Sequence, residues 1–289
     1  MTAEPGSPAR NPYRPSPRPA FDGPVYIPKE AATRHVWGDA DSGEVADWIY
    51  VSSGLIHSLV FGLEPHGAFR HSPDHPTVFG ADELLCVIEG VMAIANPETG
   101  EVHRVGTGEC VFFRRDTWHH AFAHGEGPLR VLELFAPPPA AGTSGAYART
   151  RPYLDEARYA DDTLLGKLTP PLAPDPAATM RCLDLRDIVW RRDLGVLVGV
   201  LASTEHLTAG VIEVDPGQKA KAHAHAGDQV LYTTHGTMTV RVWHDGDTRV
   251  FETGPDGVCY IPAGCRHEYR NFGATTARAL FGVSPAYPA

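Results

Sequence analysis

No run of eighteen apolar residues occurs anywhere in this 289-residue chain, so no segment reads as a transmembrane helix. The N-terminal stretch Met1-Thr2-Ala3-Glu4-Pro5-Gly6-Ser7-Pro8 lacks the apolar core of a signal peptide. Basic residues are the minority: 25 Lys and Arg against 35 Asp and Glu leave a net charge of −10, which argues against a nucleic acid or an anionic membrane as partner. Cysteine is scarce. Five in all, with no C-x-x-C pair, read as reduced thiols in a cytoplasmic protein. With nucleic acid and membrane set aside, a small-molecule substrate is the expected partner. A composition of 43% hydrophobic and 21% charged residues is that of an ordinary globular protein, long enough for two domains.

Proline, by contrast, is plentiful and unevenly placed. Pro5, Pro8, Pro12, Pro15, Pro17, Pro19 and Pro24 alternate with Arg10, Arg14 and Arg18, a composition that buries too little apolar surface to fold alone. Residues 1–30 are therefore expected to form a flexible Pro/Arg-rich arm. A second loop-forming run, Pro137-Pro138-Pro139-Ala140-Ala141-Gly142, opens a linker over 138–180, within which 153–165 has the pattern of one short helix. Between and after these lie two stretches, 31–137 and 181–289, made of short apolar runs separated by Gly, Pro and Asp, the pattern of all-β barrels or sandwiches.

The two stretches echo one another. Gly67 corresponds to Gly217, Glu83 to Gln229, Gly90 to Gly236, Gly108-Glu109-Cys110 to Gly257-Val258-Cys259, and His119 to His267, at offsets of 146 to 150 residues. A nearly constant offset means one unit used twice.

The later unit carries the sharper chemical signal. After Gly217 come His223-Ala224-His225, then Gln229 at the head of a new strand, and after Pro262-Ala263-Gly264 comes His267. Side chains two apart on a strand share a face, at about 7 Å between Cα atoms, so the first two histidines are expected to project together. Imidazole nitrogen is the commonest protein ligand for Zn, Fe, Ni and Cu, and an amide oxygen can complete the set.

These residues resemble the cupin superfamily, in its two-domain bicupin form. The family patterns are G-x5-H-x-H-x3-4-E-x6-G and G-x5-P-x-G-x2-H-x3-N. They are met here by Gly217, His223, His225, Gly236, Pro262, Gly264, His267 and Asn271, with Gln229 in place of glutamate and one residue too few between Gly257 and Pro262. The earlier unit keeps Glu83, Gly90, Gly108 and His119, but has Arg114 for the proline, Asp116 for the glycine and Ala123 for the asparagine. Its H-x-H pair is replaced by His71-Ser72-Pro73-Asp74-His75. The resemblance implies two tandem cupin (double-stranded β-helix, jelly-roll) barrels behind the Pro-rich arm. It also implies a metal site at His223, His225, Gln229 and His267, and a second at His71, His75, Glu83 and His119, unless that half has kept its barrel and lost its metal. By analogy the chain is expected to be a homodimer.

Gln229 changes the physics of the first site. Three neutral imidazoles and a neutral amide leave the full charge on a divalent ion, which then favours an anionic ligand. The leading expectation is a metal-dependent dioxygenase acting on a small anionic substrate, with Fe(II) first among the cofactors and Mn, Ni or Zn after it. The alternatives are a non-redox isomerase, cyclase or lyase (decarboxylase) that stabilises an enolate, and a non-enzymatic sensor or binding protein.

Overall fold

The computed structural model describes residues 16–40, 42–70, 75, 77–138, 178–285 and 287. The expected helix over 153–165 and the first fifteen residues lie outside that set. Among the described residues no helix is long and apolar enough to cross a membrane.

Among the described residues the fold consists of twenty-one strands and two single-turn 3-10 helices. In chain order the first strands are β1 (Val25–Ile27), β2 (Thr33–Asp39), β3 (Gly43–Ser52), β4 (His57–Leu63), β5 (Ala68–Phe69) and β6 (Asp82–Glu89). They are followed by β7 (Val91–Asn96), β8 (Glu101–Gly106), β9 (Glu109–Phe113), β10 (His120–Ala123) and β11 (Leu129–Ala136). The second half holds β12 (Met180–Asp184), β13 (Trp190–Asp193), β14 (Val196–Ser203), β15 (Thr208–Val214) and β16 (Asp228–His235). Last come β17 (Met238–His244), β18 (Asp247–Thr253), β19 (Val258–Ile261), β20 (Arg266–Arg270) and β21 (Ala277–Ser284).

Each half closes a seven-stranded sheet against a smaller one. The first pairs β12-β9-β6-β11-β4-β3-β2 with β5-β10-β7-β8, and the second pairs β1-β19-β16-β21-β15-β14-β13 with β18-β17-β20. The fold is thus all-β, two barrels of like topology.

The halves exchange their outermost strands, so the boundaries at 31 and 181 do not coincide with the sheets. β1 pairs with β19 of the second barrel, with Val25 opposite Tyr260 and Ile27 opposite Val258. β12 pairs with β9 of the first, with Met180 opposite Phe113 and Leu183 opposite Cys110. Residues 16–30 are accordingly not a loose arm. The edges of β9 and β19 would otherwise expose unpaired backbone groups, and each is covered by the segment that precedes the other barrel. A Cβ on Gly257 would lie 2.4 Å from the Tyr26 hydroxyl oxygen, so the absence of a side chain there lets β1 dock.

Strand alternation explains why so many strands read as continuous apolar runs. Leu85, Val87, Val111, Phe113, Val131 and Phe135 fill the first barrel. Leu231, Cys259, Ile261, Phe281 and Val283 fill the second. Their neighbours in sequence, Leu84, Cys86, Cys110, Phe112, Leu132, Leu134, Val230, Tyr232, Val258 and Leu280, point the other way and join in one core shared by both halves. Both faces of each large sheet are therefore buried, and polar alternation disappears.

Polar contacts rim this seam. The Tyr50 hydroxyl donates to the Asp256 carbonyl at 2.6 Å and the Tyr232 hydroxyl to its carboxylate at 2.6 Å, while Arg130 reaches the same carboxylate at 3.3 Å. Burial alone would raise the Asp256 pKa, but the Tyr232 hydrogen bond and Arg130 hold it below the ordinary range. Arg114 pairs with Asp82 at 3.2 Å and with Glu205 of the other half.

The thiols depart from expectation. Cys86 and Cys110 face one another across β6 and β9, 4.1 Å apart at Cα, and are joined as a disulfide; Cys182, Cys259 and Cys265 are free. Cys110 and Cys259 are also not equivalent. Glu83 opposes Phe113 and Gln229 opposes Ile261, so the true counterpart of Cys110 is Val258, and Cys259 faces its own barrel instead of the seam. The single residue missing after Gly257 accounts for the slip, and a one-residue slip turns a side chain to the opposite face.

Leu134 is 1% exposed, and its Cδ1 lies 2.9 Å from where a Cβ on Gly282 of the other barrel would stand. Leu134→Ala is expected to cost about 2–5 kcal/mol. Denaturant unfolding should show that loss in a single transition shared by both barrels. A loss below about 1 kcal/mol would mean that the seam is loosely packed.

Candidate metal centres

In the second barrel His223, His225 and His267 each present a ring nitrogen, and these atoms lie within 4.8 Å of one another. Ring centroids are 4.2 Å apart for His223 and His267, 5.0 Å for His223 and His225, and 5.3 Å for His225 and His267. The convergence does not come from a regular strand, as the H-x-H spacing had suggested. His223 is held by an isolated antiparallel bridge, its amide donating to the His267 carbonyl at 2.9 Å and its carbonyl accepting from the His267 amide at 2.7 Å. His225 follows in irregular chain and is fixed through its side chain.

Each imidazole is pinned by a backbone carbonyl. His223 Nδ1 meets the Lys221 carbonyl at 2.8 Å, His225 Nδ1 that of Tyr287 at 2.5 Å, and His267 Nδ1 that of Cys265 at 2.9 Å. A carbonyl oxygen can only accept, so each Nδ1 carries the hydrogen and each neutral ring keeps its Nε2 lone pair. Burial favours the neutral form further. It lowers the pKa of His223, brings His225 down to about 4, and lowers His267 well below the usual range, with His223 adding to that effect.

Gln229, 1% exposed, opens the inward face of β16. Its Oε1 accepts from the Tyr269 hydroxyl at 2.9 Å, and that hydroxyl lies 2.8 Å from His267 Nε2. The amide Nε2 is buried with no hydrogen-bond partner among the described residues. Three lone pairs and the oxygen of one fully buried amide fit a divalent ion held by nitrogen and one amide oxygen. Tyr269 was missed by sequence reasoning, yet it stands two residues after His267 on β20 and so shares its face. Burial raises its pKa well above the ordinary value and keeps the hydroxyl protonated. Lys219 lies apart from the histidines, its ammonium paired with Glu268 at 2.9 Å.

The first barrel assembles a different set from the one expected. Glu83, His119 and Glu133 bring their ligand atoms within 4.8 Å of one another, and all three are buried. His119 Nδ1 meets the Thr117 carbonyl at 3.3 Å, and its Nε2 stands 3.8 Å from Glu83 Oε2. Burial brings His119 down to about 4. Burial also raises Glu83 and Glu133 well above the carboxylate range, with Glu133 and Asp82 acting on the first and Asp47 on the second. His75 is not in this group: its Nδ1 faces Asp39 at 3.3 Å and its ring packs edge-on to Trp37 at 5.0 Å. His71 lies outside the described residues. Glu133 was missed, although an acid between Leu132 and Leu134 in a largely apolar strand signalled it.

The departures from the motif are also explained. Asp116, at the position of Gly264, adopts φ 69° where the glycine adopts 76°, and aspartate is among the few residues that tolerate the left-handed region. Arg114, at the position of Pro262, is spent on the seam with Asp82 and Glu205.

Residues 59–135 and 210–283, just over half of the chain, match the Cupin domain family. The chain belongs to the cupin family. The tetracenomycin polyketide synthase protein TcmJ of Streptomyces glaucescens is 35% identical to this cupin over 80 residues, 27% of this chain and 51% of that protein. The polyketide synthase CurC of Streptomyces cyaneus is 29% identical over 114 residues, 37% of this chain and 71% of that one. This cupin thus spans about half the length of the first relative. Among solved structures, a single-site mutant of Bacillus subtilis oxalate decarboxylase OxdC matches with a TM-score of 0.63 at 16% identity, over 94% of this chain and 80% of the other. The formate complex of Lactobacillus farciminis oxalate decarboxylase matches with a TM-score of 0.62 at 15% identity, over 94% and 89%. At such identities the likeness speaks for the bicupin fold alone.

The lowered histidine pKa values give stability a pH dependence with a definite sign. An unfolded histidine takes up a proton below about 6.5, whereas folded His225 stays neutral to about 4, so the stability it contributes is lost as pH falls between those values. In chelator-treated protein His225→Gln is expected to flatten the fall by up to about 1.4 kcal/mol per pH unit. Denaturant titrations at pH 7, 6 and 5 measure this, and parallel profiles for variant and parent would show His225 charged in the fold.

Proposed function

We propose that this bicupin is a metal-dependent enzyme whose reaction centre is His223, His225, His267 and Gln229, and that it performs non-redox chemistry on an enolisable carbonyl substrate of polyketide type. The uncharged donor set carries this reading. None of the four residues offsets a divalent charge, so the site is suited to an anionic oxygen such as an enolate or carboxylate. A divalent ion held there would supply Lewis acidity toward such an oxygen. The polyketide synthase proteins TcmJ and CurC among its relatives support the substrate class, since polyketides are chains of carbonyls with readily enolised carbons between them.

The protein's own groups have separable roles in this proposal. The Nδ1–carbonyl contacts hold each ring in one tautomer and one orientation, so that no reorganisation is needed when a ligand enters. Tyr269, protonated and within hydrogen-bond distance of both Gln229 and His267, keeps a donor in the site without adding charge. Tyr287 packs beside His225 at 4.5 Å between rings, with Phe281 5.6 Å from Tyr287 in turn, and the two aromatic rings wall that side of the site against water.

A dioxygenase is the second reading. It is supported by the same three-imidazole set, which would hold Fe(II) as the first choice of metal, before Mn, Ni or Zn, and would supply the redox chemistry that dioxygen needs.

Gln229→Glu is the discriminating variant. It is expected to retain metal by elemental analysis while turnover of a β-polyketone falls at least about tenfold, because a carboxylate cancels one unit of the charge that draws the substrate oxygen. Unchanged turnover with unchanged metal content would sink the charge argument. Oxygen consumption recorded in the same assays should be nil; stoichiometric, substrate-dependent uptake would transfer the proposal to the dioxygenase.

A further inference from the structure

The outer face of the small sheet in the second barrel carries a concentration of positive charge that the fold does not require. Val240 and Val242 of β17, and His267 and Tyr269 of β20, are buried. Alternation therefore turns Arg241, Trp243, Arg266, Glu268 and Arg270 the other way. Arg241 stands opposite Glu268 in the ladder, and Trp243 opposite Arg266. In the first barrel the matching ladder places Ala95 opposite His120 and Ala93 opposite Phe122, where the second has Arg241 with Glu268 and Thr239 with Arg270. Neither arginine has a cationic counterpart in the first unit.

These side chains line a groove of about 510 Å3, in which Lys219, Lys221, Arg241 and Arg266 share the walls with Trp243 and Glu268. Four cations thus face one carboxylate. Glu268 is 2% exposed and gathers three cations at once: Lys219 at 2.9 Å, Arg270 at 3.0 Å and Arg241 at 3.5 Å. It fixes their positions but cancels only one of their charges. Lys221 and Arg266 have no carboxylate within ion-pair distance among the described residues. The Arg266 guanidinium instead lies 4.9 Å from the centre of the Trp243 ring, and that of Arg241 lies 5.8 Å from it. A guanidinium held against an aromatic ring still presents its N–H fork to an anion. In a chain of net charge −10, such a surplus in a concave site is a focused positive field.

We propose that this groove binds a small organic phosphate, with the phosphate oxygens on Arg241, Arg266 and Lys221 and the organic part against Trp243. The volume lies within the range of small-ligand sites, about 300–1,000 Å3. A phosphate monoester carries up to two charges on three oxygens, which matches both the charge surplus and the forks of two arginines better than a single carboxylate does. The Lys221 carbonyl also holds the His223 ring, at 2.8 Å from Nδ1, so the groove adjoins the metal centre while sharing none of its ligands. The inference stands apart from the reaction proposed for that centre.

Isothermal titration of the full-length protein with phenyl phosphate at low ionic strength tests this. One equivalent should bind, and benzoate, which has the same ring on a single negative charge, should bind at least about tenfold more weakly. Arg241→Gln should weaken phenyl phosphate binding at least about tenfold, while Glu268 keeps Lys219 and Arg270 as partners. Lys221→Gln disturbs no ion pair of the fold and should weaken it at least about threefold. Arg186→Gln, which removes an exposed cation paired with Asp184, should leave it unchanged. His223→Ala should leave it unchanged too, since loss there would put the anion on the metal centre and overturn the proposal. Absence of binding, equal affinity for benzoate, or undiminished binding in Arg241→Gln and Lys221→Gln protein would overturn it as well. Binding is read without turnover, so none of these results bears on the enolate reading.

Discussion

The rest of the molecule depends on the apolar seam between the two seven-stranded sheets. Each sheet uses alternate residues of the same strands for two purposes: one set fills its own barrel, the other meets the neighbouring sheet. A strand seated on such a seam can neither slide nor turn over without exposing one set or the other. Glu83 and Gln229 are held at the heads of two such strands, β6 and β16, and the exchanged strands β1 and β12 close the edges beside them. Both centres inherit their rigidity from this packing.

On that scaffold the duplication has diverged in charge while keeping its geometry. The second barrel gathers three neutral imidazoles, an amide and a protonated phenol, and adds no negative charge to an ion. The first gathers two carboxyl groups and one imidazole, with further acids behind them. The difference follows from a few inward positions, chiefly 133/281 and 47/198, at which the two units carry different side chains.

Much of this was legible in the sequence. The duplication, the all-β character and the residues His223, His225, Gln229, His267, Glu83 and His119 all follow from motif spacing and offset, because strand period and turn residues are local properties. Reasoning failed where the period itself broke. The chain around His223 is a bridge in irregular backbone, so the convergence of His223 and His225 does not come from strand parity. One missing residue after Gly257 disguised Val258 as the partner of Glu109. The Pro-rich residues 16–30, too poor in apolar side chains to fold alone, became ordered by joining a sheet over 230 residues away in the chain.

What the sequence by itself determined is the repeat, its barrel fold and the type of ligand offered by the second half. Those are written in composition and spacing at short range. Only the tertiary structure decided that Glu133 lies beside Glu83 and His119, that Tyr269 stands between Gln229 and His267, that Cys86 meets Cys110, and that each half lends a strand to the other. Each of these is a contact between residues distant in sequence, or an orientation set by a neighbouring sheet, and local periodicity carries no information about either.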